Sequence, residues 1–189
     1  VSDADQLRRL LLERSVRRGD FLLASGQRSS YYIDCRLTTM SAEGQVLIGR
    51  LGLAALTAAG WRARAIGGLT MGADPVAYAI AAASWGTSVV IDAFSVRKEA
   101  KDHGMGQLIE GNFRAGDPVV VVEDVITSGG SAIKAIAAVE QAGGRVVGVL
   151  AVVDREQGGR ERIAQEGHEV VSLTTTSELG LMPPGEASS

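Results

Sequence analysis

Cysteine is almost absent: Cys35 is the single thiol in 189 residues. No intrachain disulfide and no cysteine-based zinc site can form, and a reducing compartment is expected. Proline is scarce too, 4 residues against 24 glycines, and no internal repeat is visible. With 46% apolar and 22% charged residues, the chain is neither collagen-like nor disordered. Neither charge sign dominates; a net charge of −3 gives no electrostatic case for nucleic acid or an acidic membrane surface. Long apolar runs are missing. The longest uncharged stretch, between Asp74 and Asp92, is interrupted by Pro75, Gly86 and several hydroxyl residues. A spanning helix needs about 20 continuous apolar residues. The N-terminal segment is amphipathic and carries both charge signs, unlike the basic start and apolar core of a secretory signal. A soluble, cytoplasmic protein is the expectation. Its length suits one domain, residues 1–189, burying roughly two-thirds of its extended-chain surface.

What is present is mostly periodic. Leu7, Leu10 and Leu11 fall at helical spacing within 3–18, and Gly19 ends the pattern. Residues 21–35 predict two strands joined by a Ser/Gly-rich turn with Gly26 at its tip. Ser41 can cap a Leu- and Ala-rich helix running to about Gly60. Short strands are expected at 65–69 and 88–96, separated by an Ala-rich helix from about Pro75. The polar segment 97–117 has no clean period. Residues 118–125 are a near-continuous β-branched run, suited to a strand buried on both faces of a parallel sheet. A helix over 131–142, a strand over 145–155, a short charged helix over 159–166 and a last strand over 169–175 continue the alternation. Such alternation implies an α/β fold, a mostly parallel central sheet flanked by helices.

The most informative stretch is VVVVEDVITSGGSA, residues 119–132. A hydrophobic strand runs into two acids, a Thr/Ser/Gly loop and a helix. Ser128, Gly129, Gly130 and Ser131 lie where backbone N–H groups at a helix N-terminus point outward, a site suited to phosphate. Neither G-x-x-x-x-G-K-[ST] nor G-x-G-x-x-G occurs, which argues against a Walker loop and a Rossmann oxidoreductase. The distinguishing element is Glu123-Asp124. Two carboxylates at a strand end, a sugar's width from a phosphate cradle, can accept hydrogen bonds from ribose 2′- and 3′-hydroxyls. The plain alternative is a strand-to-helix turn with ordinary caps; the acid pair and the valine run count against it. A second constellation, Arg97 to Gly104 (RKEAKDHG), gathers two of the three lysines and one of the two histidines. Gly104, Gly106 and Gly111 would allow a mobile loop whose cations clasp a departing pyrophosphate. Its alternative is a solvated helix face, with Glu99 and His103 at i,i+4 spacing.

The first stretch resembles the phosphoribosyl-pyrophosphate (PRPP) motif of type I phosphoribosyltransferases. Together with RKEAKDHG it is similar to the orotate phosphoribosyltransferase family. GQRSSYYID at 26–34 and LAVVDRE at 150–156 resemble that family's N-terminal substrate segment and its orotate-contacting strand end. The resemblance runs from about Phe21 to Leu179. It implies the type I phosphoribosyltransferase fold with a small N-terminal hood, about 1–40, and a flexible lid, about 97–112. In a homodimer the lid would reach the neighbouring subunit's site. The implied reaction joins orotate and PRPP to give orotidine 5′-monophosphate and pyrophosphate, a step of pyrimidine (UMP) biosynthesis.

The resemblance also assigns residues. PRPP would be held by Arg97, Lys98, Lys101 and His103 of the lid, by the acids Glu123 and Asp124, and by Val125, Ile126, Thr127, Ser128, Gly129, Gly130 and Ser131. Thr127 and Arg155 would contact orotate, and Lys101 and Asp124 would be catalytic. Mg²⁺ is the implied cofactor, carried by PRPP and water with no direct protein ligand. No nucleic-acid or membrane partner is implied. For Arg155 the alternative is a surface ion pair with Asp154 or Glu156; Tyr31 and Tyr32 either stack on the base or pack the hood. His168 is expected to be exposed and Cys35 to be a buried filler. Two departures from the family pattern stand out. Leu23-Ala24 and Thr70-Met71 occupy places where its better-known members carry a lysine, so pyrophosphate would lean on backbone donors of the turn LTMGADP (69–75), Arg97, Lys98 and Lys101. Two other readings compete: a phosphoribosyltransferase for a purine or uracil, disfavoured by RKEAKDHG and Arg155, and a PRPP-sensing regulator, for which a basic face is lacking.

Overall fold

The computed structural model describes residues 1–22, 28–99 and 108–181. The chain opens with α1 (Asp3–Arg14), whose Ser2 cap accepts from Asp5 N–H while the Asp5 carboxylate reaches back to Ser2. Helix α1 ends earlier than the leucine spacing predicts. Ser15 N–H closes on Leu11 O at 2.9 Å, and the buried Ser15 hydroxyl meets that of Thr38 at 2.7 Å. β-Branched Val16 then starts β1 (Val16–Leu22), which pairs antiparallel with β2 (Arg28–Ile33). Gly26, the expected turn tip, lies outside the described residues. A short turn of helix, α2 (Arg36–Thr39), leads to α3 (Ala42–Ala58), where Ser41 Oγ caps Gly44 N–H at 3.1 Å, as its position implies.

The rest alternates: β3 (Ala65–Leu69), α4 (Ala73–Ser84), β4 (Asp92–Val96), β5 (Ile109–Gly111), β6 (Pro118–Ile126), α5 (Gly130–Gln141), β7 (Arg145–Asp154), α6 (Gly159–Gln165) and β8 (Val170–Thr175). Two boundaries differ from the periodicity. Strand β4 starts at Asp92 rather than 88, because the preceding residues are spent on a turn in which Ser84 Oγ accepts from Ile91 N–H at 2.9 Å. Three-residue β5, inside the aperiodic 97–117 segment, is too short to leave a period.

The main sheet has the order β5-β4-β3-β6-β7-β8, and every pairing is parallel except β4–β5. Its valine-rich centre is buried on both faces. Val120, Val122, Leu150 and Val152 pack with α1, α3, α4 and the hairpin residues Tyr31 and Ile33. Val119, Val121, Val149 and Ala151 pack with α5 and α6. Each such side chain withdrawn from water contributes about 1.5–3 kcal/mol, which is why a continuous apolar run is needed here. Strand order reverses between β3 and β6. Open α/β sheets bind ligands outside the carboxyl ends of the strands at such a reversal.

Candidate active site

Three segments meet at that reversal. The first is the end of β6. Gly129, at φ 75°, begins α5 without any side-chain cap, so the first N–H groups of a 12-residue helix are left for a ligand. The left-handed backbone there needs glycine, and a Cβ would come within 2.8 Å of Gly159 O. A cavity of about 310 Å³ is lined by Glu123 and by Val125 through Ala132, so the loop residues assigned from the sequence do enclose one space. Not all of them can contribute side chains to it: Ile126 is buried in the core, and its carbonyl accepts from Arg155 N–H at 2.9 Å.

The acid pair divides its labour. Glu123 is 6% exposed, and its Oε1 has no hydrogen-bond partner among the described residues. Burial, then the neighbouring Asp124 charge, push its carboxyl up to about 8. Asp124 is also raised by burial, against the pull of Val125 N–H, which donates to Oδ1 at 2.9 Å. A buried carboxyl short of partners is a site prepared for hydroxyl groups.

The second segment is the turn between β3 and α4. Its backbone runs against the acid pair: a Cβ on Gly72 would stand 2.6 Å from Asp124 Oδ1. Asp74 braces the turn, accepting from Thr70 Oγ1 at 2.6 Å and from Ser95 Oγ at 2.7 Å, while Ser95 also meets the Tyr78 hydroxyl at 3.1 Å. Sequence reading missed this network. Only the i,i+4 spacing of Thr70 and Asp74 hinted at it; the link to Ser95 needs the parallel pairing of β3 with β4.

The third segment is the end of β7 with the hairpin above it. Arg155 is 8% exposed, and its guanidinium lies over the Tyr31 ring, 5.2 Å from the centroid. The surface ion pair considered for it is not made. Asp154 Oδ1 instead accepts from Glu156 N–H at 2.8 Å, and the Glu156 carboxylate accepts from Thr176 and Ser177. Arg155 Nε and Nη2 are buried without a partner among the described residues, and so is the Tyr31 hydroxyl. A buried guanidinium edge with no counter-ion is a receptor for an anionic, planar group. Tyr32 points the other way, exposed beside Phe21 with ring centroids 6.0 Å apart. Cys35 is buried, and its thiol is pushed well up by burial and then by Asp124, which removes it as a nucleophile. His168 is not the exposed bystander expected; its Nε2 lies 3.4 Å from Glu140 Oε1.

Of the lid, Arg97 and Lys98 are described, whereas Lys101 and His103 lie outside the described residues. Arg97 N–H donates to Leu108 O at 2.7 Å, and its guanidinium lies 3.4 Å from Glu110 Oε1. The two ends of the segment are thereby tied together at the carboxyl end of β4, next to the β3 turn.

The family model for the phosphoribosyl transferase domain matches residues 53–174. The chain is 47% identical to an orotate phosphoribosyltransferase of Rhodopirellula baltica, over 92% of each chain. It is 47% identical to one of Aquifex aeolicus, over 94% of this chain and 97% of that one. The structure of Mycobacterium tuberculosis H37Rv orotate phosphoribosyltransferase in complex with PRPP superposes with a TM-score of 0.81 at 42% identity, covering 95% of this chain and 100% of that one. With its uncapped phosphate loop behind an acid pair at the sheet's reversal point, the chain belongs to the orotate phosphoribosyltransferase family of type I phosphoribosyltransferases.

Proposed function

We propose that the chain transfers the 5-phosphoribosyl group of PRPP to N1 of orotate, releasing pyrophosphate. The observation that carries the choice of acceptor is Arg155: a buried, unpaired guanidinium beside the phosphate loop, stacked on Tyr31. Orotate differs from uracil by a carboxylate, and this is the group such a guanidinium can fork. The direct test is the loss of orotate absorbance when PRPP and Mg²⁺ are added; adenine, hypoxanthine or uracil consumed in preference would replace the reading.

In this mechanism the N-terminus of α5 and the hydroxyls of Thr127, Ser128 and Ser131 hold the 5′-phosphate. Glu123 and Asp124 accept from the ribose hydroxyls, and Asp124 keeps negative charge near the anomeric carbon as oxocarbenium character grows there. Arg155 and Tyr31 hold orotate so that N1 lies in line with the leaving group. The bond from N1 to the anomeric carbon forms as the bond from that carbon to the diphosphate oxygen breaks, and the N1 proton passes to the departing pyrophosphate, which balances the step. Arg97, Lys98, Lys101 and His103 stabilise the leaving charge and exclude water. The fit to Mg²⁺ is chemical: Glu123 Oε1, buried without a hydrogen-bond partner among the described residues, is a hard oxygen beside the sugar position, suited to an ion carried in on substrate oxygens. When bound, it would neutralise diphosphate charge.

The chain acts in this reading as one domain, with a hood over about 1–40 and a lid over about 97–112, and pairs with a second copy that supplies the lid. A Lys101→Ala chain mixed with a Gly129→Asp chain is expected to regain activity, because one site of the heterodimer then has both an intact loop and an intact lid. No recovery in heterodimers shown to form would place the lid in cis.

Arg155→Lys is expected to raise KM for orotate far more than for PRPP, since an ammonium cannot reproduce the bidentate edge. The loss should be about 1–3 kcal/mol, as for a charge-assisted hydrogen bond removed from a buried site. Steady-state kinetics on both substrates checks it; equal impairment of the two would make Arg155 a support for the strand end.

A further inference from the structure

The turn after β3, Thr70 through Asp74, carries no cation, and its one acid is engaged by Thr70 and Ser95. Yet this turn is what PRPP would meet beyond the acid pair. Glu123 lines the phosphate-loop cavity, and Gly72 of the turn lies against its neighbour Asp124, where a Cβ would stand 2.6 Å from Oδ1. A ribose seated on the acids with its 5′-phosphate in the loop would thus have the turn within reach of its C1 diphosphate. A second cleft, of about 760 Å³, opens there. Met71 lines it together with Arg14, Asp34, Arg36, Leu37, Met40 and Ser41, and of its two cations Arg36 is the one whose charge reaches Asp124. It shares no lining residue with the phosphate-loop cavity.

Arg36 is fixed in this cleft. Its Nε donates to Asp34 Oδ1 at 2.9 Å and its Nη2 to Asp34 Oδ2 at 3.1 Å, while its backbone N–H also reaches Oδ1 at 3.2 Å. The Arg36 guanidinium holds the Asp34 carboxyl below the usual range, so the fork stays charged at neutral pH. Nη1 has no partner among the described residues and is left to donate into the cleft. The charge is also felt at Asp124, where it opposes the rise caused by burial.

The geometry points to Arg36 as a binding residue for the diphosphate of PRPP, with Asp34 as the residue that positions it. The assignment rests on the phosphoribosyl-transfer reading and deepens it. Arg36 supplies a cation that belongs to the scaffold rather than to the 97–112 segment. The half-exposed side chain packs little, so its truncation leaves no cavity in the core.

The test is calorimetric titration of the full chain with PRPP, inorganic pyrophosphate, ribose 5-phosphate and orotate, all with Mg²⁺. Arg36→Ala is expected to weaken PRPP and pyrophosphate binding by about ten- to a hundredfold, the range for a charge-assisted hydrogen bond. Affinities for ribose 5-phosphate and orotate should stay at the parent's. Met71 is 57% exposed and lines the same cleft, so adding Met71→Lys to Arg36→Ala returns a cation to it and should recover most of the lost PRPP affinity. Unchanged PRPP binding in Arg36→Ala, an equal loss for ribose 5-phosphate, a loss confined to orotate, or no recovery in the double variant would each overturn the assignment. A parent chain that binds no PRPP would overturn the phosphoribosyl reading itself, which keeps the two failures apart.

Discussion

An Asp124→Asn chain is expected to fold like the parent and to convert orotate about a hundred- to a thousandfold more slowly, the scale on which one preorganised charge-stabilising group acts. The substitution is nearly isosteric. The amide oxygen can still accept from Val125 N–H and still fits against Gly72, where less than a methyl group of room remains. What disappears is the full negative charge beside the anomeric carbon and the charged acceptor for a ribose hydroxyl. Binding of PRPP should suffer less than turnover, because oxocarbenium character exists only in the transition state. Thermal unfolding and kcat/KM measured on the same preparation check this. Parent-like kcat/KM would remove Asp124 from the chemistry, and a collapsed Tm would make it a structural residue.

The second large effect concerns stability. Glu123 holds its proton to about pH 8 in the folded chain, against an ordinary value of 4.5. Between those limits the unfolded chain is ionised and the folded chain is not, so the unfolded state binds fewer protons and stability falls as pH rises. The contribution is fully present below about pH 4.5 and lost above about pH 8, on the order of 5 kcal/mol at most. Glu123→Gln removes the titration while keeping shape. In the absence of substrate the variant should be clearly more stable than the parent at pH 9, and the two should converge near pH 5. Urea unfolding at both pH values decides; a difference that does not change with pH would mean that Glu123 ionises normally in its buried setting. On the proposed reading, the acid that would receive ribose is thus held at a cost to the empty fold.

Much of this was legible in the sequence, for identifiable reasons. Four consecutive valines before Glu123-Asp124 can only be satisfied by burial on both faces, so the central strand, its neighbours and the phosphate loop follow from one-dimensional pattern. The Ser41 cap is a local event and was equally readable. Short-range pattern fails where tertiary contacts decide. Helix α1 stops where Ser15 finds Thr38, 23 residues away. Strand β5 exists only because β4 offers its edge. The family resemblance sets Arg155 against orotate, but its neighbours along the chain leave a surface ion pair with Asp154 or Glu156 open, and only the fold shows both acids committed to backbone and hydroxyl groups while Tyr31 covers the guanidinium. Arg36 was overlooked for a related reason: nothing in its neighbourhood along the chain reveals that Met71 lines the same cleft.

Among the described residues, the hairpin β1–β2 forms a sheet of its own and shares no ladder with the main one. An isolated two-stranded ribbon is marginal in water, so its attachment depends on side-chain contacts, chiefly the buried Tyr31, which is 1% exposed, and Ile33. Its amides can therefore exchange with solvent through a partial opening that leaves the six-stranded sheet and its valine core intact. Such an opening would lift Tyr31 from Arg155, so on the proposed reading the entry and exit of a planar base would be set by the free energy of one ribbon, below that of global unfolding.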